Sequence, residues 1–208
     1  MNRRTLLLAS LMLPATALAQ TQAPALSAQD QADISRVEVY LNSIHTLQAR
    51  FQQVAPDGQL SGGQAWLQRP GRMRFQYDPP SPFLLVGGYG LLVFHDAQLQ
   101  QTSNIPLGRT PLGLLLQDNL KLSGAITVTQ IVRYPGQLQL TLLRTASPSD
   151  GTLTLIFADQ PLALRSWIVV DAQRRETRIS LYDIALGGTF NQKLFSYIDP
   201  NFFENRPQ

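Results

Sequence analysis

The sequence predicts a mainly β protein: one domain whose antiparallel strands curl into a sandwich or a barrel, accompanied by two helices. Three observations lead to this prediction. Most of the chain alternates apolar and polar residues in runs of similar length, separated by turns. Helical spacing of apolar residues is confined to one stretch, between residues 34 and 44. The chain has 208 residues and no internal repeat or linker, which suits a single domain with its own core.

The first 19 residues have the layout of a secretory signal peptide. Arg3 and Arg4 precede an apolar run over residues 6–13, and the small residues of 17–19 follow. The run is shorter than the ~20 residues that a membrane span needs. We therefore expect cleavage after Ala19, which leaves residues 20–208 as one exported domain. The paired arginines leave both the general and the twin-arginine export routes open.

Composition excludes several functional classes. The chain has no cysteine, which removes disulfides, thiolate metal sites and lipidation on an N-terminal cysteine. Two of its 17 basic residues lie in the signal peptide, so 15 remain against 14 acidic residues. This balance argues against a nucleic-acid partner. The histidines His45 and His95 lie at the ends of predicted elements, and no nucleophile elbow, zinc-protease motif or phosphate loop occurs. We expect no catalytic residue, metal or cofactor, with a secreted hydrolase as the weakest alternative.

The first predicted helix begins at a capping box formed by Ser27 and Asp30, and should end near Thr46. An apolar stripe runs along it, made of Ile34, Val37, Leu41 and Ile44, while Asp33, Arg36 and Asn42 lie on its other faces. Alternating segments follow at residues 47–52, 64–68, 72–77, 83–86, 91–95, 99–102, 126–133, 137–144, 152–158, 164–170 and 177–184. Residues 87–90 form a hairpin turn between two of them.

A second, short helix is predicted where Thr110 caps the chain and Pro111 takes the first helical position. Residues 112–116 are leucine and glycine, so this helix has no polar face to turn towards solvent. The strand at 164–170 is likewise apolar on both faces. Either the helices cover the second apolar face, or that face lines a cavity for an apolar ligand beneath a lid.

Arg69 is unusual because it lies in a turn directly before Pro70 and shortly after the apolar pair Trp66-Leu67. Its guanidinium has five donors and stays charged. A guanidinium on the concave face would need acceptors, and the open carbonyls at the end of a short helix would supply them. The residues alone leave this possibility beside that of an ordinary surface arginine.

A series of short motifs runs in order through most of the mature chain. They are Phe51-Gln52-Gln53, Gly63, Trp66-Leu67-Gln68-Arg69-Pro70, Arg74-Phe75, Tyr77 with Pro80, Thr110-Pro111-Leu112, Leu194-Phe195-Ser196-Tyr197 and Asp199-Pro200. The ordered set resembles the periplasmic outer-membrane lipoprotein carrier family, LolA. Two positions depart from the family pattern: Gly88-Tyr89-Gly90 stands in place of an Asp-Gly turn, and Met73 in place of an aromatic residue.

The resemblance implies an incomplete antiparallel β-barrel covered by the N-terminal amphipathic helix and the short apolar lid helix. It implies a soluble, monomeric periplasmic carrier without a cofactor, whose concave face holds the acyl chains of lipoproteins. Such a carrier takes its cargo from an inner-membrane ATP-driven release complex and passes it to an outer-membrane lipoprotein receptor. The alternative is a related open-barrel module that binds another lipid or senses lipoproteins.

The resemblance also assigns residues to roles. The ligand-binding residues implied by matching motif positions are Trp66, Met73, Phe75, Tyr77, Leu112, Leu115 and Leu116. Strand alternation places Met73, Phe75 and Tyr77 on one face. The resemblance further implies that Arg69 latches the lid through backbone carbonyls near Gly113, Leu114 and Leu115, holding the unloaded carrier closed.

Overall fold

A single antiparallel sheet of 11 strands makes up most of the molecule. The computed structural model describes residues 26–197; the predicted signal peptide lies outside this range. The helices are α1 (Ala28–Ser43) and α2 (Leu112–Leu115), with 3-10 turns at Leu107–Arg109, Pro148–Asp150 and Gln192–Phe195. The strands are β1 (Thr46–Val54), β2 (Leu60–Gln68), β3 (Arg72–Tyr77), β4 (Phe83–Gly88), β5 (Leu91–Asp96), β6 (Gln101–Pro106), β7 (Ile126–Tyr134), β8 (Gln137–Arg144), β9 (Gly151–Ala158), β10 (Ala163–Asp171) and β11 (Glu176–Leu186).

The strand order explains how the barrel stays incomplete. It runs β6-β5-β4-β3-β2-β1-β11-β10-β9-β8-β7, and each neighbouring pair is antiparallel. Strands β6 and β7 are consecutive in sequence yet lie at opposite edges of the sheet. Residues 107–125 therefore connect one edge to the other, and this connection contains α2. The predicted mainly β fold with an open antiparallel barrel is confirmed, and the sandwich is ruled out.

The core lies on the concave face of the sheet, against α1. In β1 the buried residues are Leu47, Ala49 and Phe51, which alternate with more exposed ones. From α1, Val37 and Leu41 are fully shielded from solvent, and each such burial stabilises the fold by about 1.5–3 kcal/mol. The predicted apolar stripe thus provides the helical side of the core.

Helix α1 begins as predicted and ends earlier. The capping box is present: the Asp30 amide donates to Ser27 Oγ at 3.1 Å, and the Ser27 amide donates to Asp30 Oδ2 at 3.0 Å. The helix ends at Ser43 because Thr46, the expected end, already pairs with Gln68 in the β1–β2 ladder.

An ion-pair cluster fastens α1 to the edge strand β7. Arg133 of β7 donates through Nε to Asp33 Oδ2 and through Nη2 to Asp30 Oδ1, both at 2.7 Å. Arg36 donates to Asp33 Oδ1 at 2.8 Å. The sequence places Asp33 away from the apolar stripe, yet the residue is buried. Two guanidinium partners make that burial tolerable.

Acid should loosen this attachment. The hydrogen bond from Arg133 is the main cause that lowers the pKa of Asp30 from its ordinary 3.8 to about 2. Because the pKa is depressed in the folded state, the stabilisation is present above pH 3.8 and is lost as the pH falls towards 2. We expect Arg133→Met to melt at a lower temperature than wild type near neutral pH. The difference should shrink as the pH falls through this window, measured by circular dichroism.

A matched control for that experiment is Arg165→Met. Arg165 is exposed, and its side chain makes no hydrogen bond or ion pair within residues 26–197. Its substitution should leave the melting temperature close to wild type at every pH. A difference between Arg133→Met and wild type that does not vary with pH would contradict the role assigned to the cluster.

The β4–β5–β6 region shows one confirmed prediction and one correction. The hairpin turn is formed by Tyr89 and Gly90, which have φ values of 50° and 79°, as a two-residue hairpin turn requires. Strand β6 begins at Gln101, two residues later than expected. Residues 97–100 form a turn instead, in which Asp96 Oδ1 accepts from the amides of Gln98 and Leu99.

Candidate functional site: a cavity beneath the second helix

A cavity of about 650 Å³ lies between the concave face of the sheet and α2. Its size falls in the range of about 300–1,000 Å³ that is usual for small-ligand sites. Strands β3 to β6 form one wall, β10 and β11 form the other, and α2 contributes Leu112. The apolar lining consists of Phe75, Tyr77, Leu85, Leu92, Phe94, Ile105, Leu112, Trp167, Val169 and Ile179. The site is therefore built to receive an apolar ligand.

Aromatic rings give this cavity a firm wall. Phe75 meets Trp167 edge to face, with ring centroids 6.1 Å apart. Tyr77 meets Phe83 in the same way at 5.8 Å, and Phe83 lies 5.4 Å from Phe94. Edge-to-face contacts between rings add about 0.5–1.5 kcal/mol each beyond the area they bury. The rings support one another and keep the cavity from filling by collapse of its own wall.

Tyr77 also carries a polar group into the lining. Its hydroxyl donates to Gln53 Oε1 at 2.7 Å, and burial raises the pKa of Tyr77 to about 12. The phenol is therefore neutral at physiological pH and available as a donor. Gln53, which also lines the cavity, is thereby held in a fixed orientation.

Helix α2 is held by tight backbone contacts at its start. Thr110 Oγ1 accepts from the Gly113 amide at 3.1 Å and donates to the Leu107 carbonyl at 2.9 Å. Thr110 thus makes the hydrogen bond expected of a cap, but α2 begins at Leu112, one residue later than predicted, with Pro111 at the N-cap position. A Cβ at position 113 would lie 2.2 Å from the Leu107 carbonyl oxygen. Gly113 therefore permits a close approach that any other residue would prevent, a requirement that the sequence pattern does not reveal.

The segment after α2 is attached to α1 through side chains. Asn42 pairs with the backbone of Leu120 as a neighbouring strand would: its Nδ2 donates to the Leu120 carbonyl at 2.9 Å, and its Oδ1 accepts from the Leu120 amide at 2.8 Å. Glu38 accepts from the Leu122 amide at 2.9 Å and from Lys121 Nζ at 2.8 Å. The polar face of α1 thus positions the segment that follows α2.

Arg69 lies beside the end of α1 rather than against α2. Its Nη1 donates to the Leu41 carbonyl at 2.7 Å, in the last turn of α1. Arg69 therefore does not contact the carbonyls near residues 113–115 that were expected to accept its hydrogen bonds. Arg69 contacts α1 because of where β2 ends. The Arg69 amide donates to the His45 carbonyl, and this contact brings the Arg69 side chain to the open carbonyls at the end of α1. The end of α2 is joined to this strand end through the Gly71 amide, which donates to the Leu116 carbonyl at 2.9 Å.

A second, small cavity of about 160 Å³ adjoins Arg69. It is lined by Asn42, His45, Arg69, Asp118 and Asn119. Burial lowers the pKa of Arg69 to about 10, an effect that the charge of Asp118 partly offsets. The guanidinium remains charged at neutral pH, and within residues 26–197 its single hydrogen bond leaves most of its donors without a partner.

Six of the seven predicted ligand-binding residues lie in the cavity lining or in the core beside it. Phe75, Tyr77 and Leu112 line the cavity. Met73, Leu115 and Leu116 are buried in the same core without forming part of the cavity lining. Met73, Phe75 and Tyr77 share one buried face, as strand alternation predicts.

Trp66 is the residue that the structure places elsewhere. In β2 it alternates with the buried residues Ala65 and Leu67, and it lies opposite Arg74 on β3. It therefore faces the convex side of the sheet and cannot reach the cavity. Trp167 of β10 is the tryptophan that lines the cavity, and the only hint of it in the sequence is a strand apolar on both faces.

The convex side of β3 to β5 is covered by the segment 190–197. Arg74 Nη1 donates to the Leu194 carbonyl at 3.2 Å, and Phe195 is buried. His95 lies against Tyr197, with ring centroids 5.2 Å apart, and its Nδ1 is 3.1 Å from Thr102 Oγ1. These contacts give His95 a packing role on the face opposite the cavity.

An incomplete antiparallel barrel with an apolar cavity beneath a short helix has the shape and lining that suit an apolar ligand. The chain belongs to the family of the outer membrane lipoprotein carrier protein LolA, whose family model matches residues 42–198. Within residues 26–197, no helix is long and apolar enough to cross a bilayer.

Named relatives and solved structures accompany the family match. The chain is 31% identical to the outer-membrane lipoprotein carrier protein of Methylococcus capsulatus over 80% of its length and 83% of the relative's. It is 28% identical to the protein of that name from Pseudomonas paraeruginosa, over 95% and 94%. A LolA superfamily protein from Nitrosomonas europaea has a solved structure with a TM-score of 0.44 and 9% identity, covering 79% of this chain and 97% of that one.

Proposed function

We propose that this protein is a soluble periplasmic carrier that binds the acyl chains of lipoproteins in the cavity and takes them from the inner to the outer membrane. The observation that carries the proposal is the apolar cavity between the sheet and α2. The names of the relatives support the choice of cargo. The protein performs no catalysis in this role. It receives its cargo from an inner-membrane ATP-driven release complex and gives it up to an outer-membrane receptor.

The physical problem of such a carrier is solubility. Each methylene that leaves the bilayer loses about 0.8 kcal/mol unless it finds another apolar environment. A cavity lined by aromatic and aliphatic side chains supplies that environment. Release requires that cargo-bound and unloaded states differ by only a few kcal/mol. In our proposal the lid contacts at Gly71, Asn42 and Thr110 hold one of these states and break when α2 moves.

Arg69 has a revised place in this proposal. It does not latch α2 directly but holds the end of α1, next to the point where the lid joins β2. Opening of the lid would offer its remaining donors new carbonyl partners. The latch is therefore a junction of α1, β2 and the lid rather than a single bond.

The two tryptophans of the chain make a direct binding test possible. Trp167 lines the cavity, whereas Trp66 faces the convex side. Trp66→Phe leaves Trp167 as the single tryptophan, and Trp167→Phe leaves Trp66. A dipalmitoylated peptide with brominated acyl chains quenches indole fluorescence only on contact.

We expect saturable quenching in Trp66→Phe and almost none in Trp167→Phe. Quenching confined to Trp66 would place the acyl chains on the wrong face of the sheet. Absence of quenching in both variants, with wild-type circular dichroism spectra, would refute acyl binding in this cavity.

A further inference from the structure

The lining of the large cavity is apolar where strands form it and becomes mostly polar where turns form it. Pro56, Ala172, Gln173 and Arg175 lie in or beside the β1–β2 and β10–β11 turns and are exposed to solvent. Arg109, directly before the lid, and Asp150, directly before β9, complete this rim. The cavity is therefore amphipathic: its walls are apolar, and its opening to solvent carries hydrogen-bonding and charged groups.

Two of the rim charges have no partner in the described part of the chain. Asp171 and Arg175 satisfy each other, with Arg175 Nε donating to Asp171 Oδ2 at 2.9 Å. By contrast, neither the Arg109 guanidinium nor the Asp150 carboxylate makes a hydrogen bond or an ion pair within residues 26–197. The rim thus presents one free group that only donates and one that only accepts.

This pairing favours a particular ligand chemistry. A lipid headgroup of single charge would be matched by a rim of one sign, whereas the free groups here are of opposite sign. A peptide main chain offers carbonyl acceptors and amide donors in alternation, so it can use both. Contacts to the main chain do not depend on the identity of the side chains, which suits a site that binds cargo of varied sequence.

We propose that Arg109 and Asp150 bind the main chain of the cargo polypeptide next to its acylated residue, Arg109 donating to a carbonyl and Asp150 accepting from an amide. This inference rests on the proposed function and adds a peptide-binding rim to the acyl-binding cavity. It makes the ligand of the site an acylated peptide rather than a free lipid.

The test compares two ligands with the same acyl chains. One is a dipalmitoylated cysteine followed by four serines, acetylated and amidated at its ends; the other is dipalmitoylglycerol. Binding is followed by Trp167 fluorescence in the Trp66→Phe background. Arg109→Gln and Asp150→Asn remove the charges, and Arg165→Gln, an exposed arginine outside the cavity lining, is the matched control.

We expect each rim variant to weaken lipopeptide binding about tenfold, as loss of one hydrogen bond to a charged group would. Binding of dipalmitoylglycerol should stay unchanged, and Arg165→Gln should match wild type with both ligands. Replacing the serines by aspartates or by lysines should shift wild-type affinity by less than that factor.

Three outcomes would overturn the inference. They are equal effects on both ligands, no effect of either variant on the lipopeptide, and a strong preference for one peptide charge. Failure of wild type to bind either ligand would instead refute the proposed function, so the two failures are distinguishable.

Discussion

Replacing Val169 by tryptophan is expected to abolish uptake of acyl chains while the fold remains intact. Val169 lies on β10 two residues after Trp167, and both residues line the cavity. An indole at this position would occupy space that the proposed cargo needs. Because the added surface enters an existing cavity, it adds little of the strain that overpacking causes in a filled core. We expect loss of lipopeptide binding by at least about tenfold, measured as a change of Kd.

The neighbouring residue offers the control. Val170 is the same residue type on the same strand, but it faces the other side of the sheet and does not line the cavity. Val170→Trp should bind lipopeptide as wild type does. If Val169→Trp binds as well as Val170→Trp, the acyl chains do not occupy this cavity.

Among the substitutions considered, Phe75→Ala should lower the free energy of unfolding most. Phe75 is 2% exposed and packs edge to face against Phe51 at 4.9 Å and Trp167 at 6.1 Å. Truncation of a buried phenylalanine costs about 3–5 kcal/mol. In a domain of this size that loss lowers the melting temperature by roughly 10 °C. Thermal unfolding followed by circular dichroism measures it.

Gln76→Ala is the control for Phe75→Ala, since Gln76 is exposed on the same strand and its side chain accepts only two long hydrogen bonds of 3.3 Å, both from Arg74, within residues 26–197. Its melting temperature should stay within about 2 °C of wild type, as expected of a surface substitution. A small effect of Phe75→Ala would mean that the aromatic wall relaxes around the lost ring and does not support the cavity.

The strands were predictable because alternation survives in this protein. One face of most strands is buried and the other is more exposed to solvent, so apolar and polar residues alternate along β1, β2 and β3. Helix α1 was predictable from its capping box and its stripe. The end of α1 and the start of β6 were not, because pairing across the sheet and a side-chain-capped turn decide them.

The site was only partly predictable for a related reason. Alternation identifies which residues share a face but not which face is concave, so Trp66 was assigned to the cavity and Trp167 was not. Polar contacts between distant segments, such as Asn42 with Leu120 or Arg69 with Leu41, depend on tertiary placement. Short sequence motifs do not show which distant segments the fold brings together.

The seam of the barrel has a mechanical consequence. Within residues 26–197 every strand pair belongs to one continuous sheet, in which β6 and β7 do not pair with each other and are linked by the connection 107–125. Fully extended, 19 residues span up to about 60 Å, far more than a short helical turn requires. We expect the two edges to move apart without breaking a hydrogen bond between strands, once the contacts that hold this connection to α1 and to the end of β2, such as those of Leu120 with Asn42 and of Leu116 with Gly71, are released. We therefore expect the circumference of the barrel to adjust at this one place, which would let the proposed carrier enclose acyl chains of different girth.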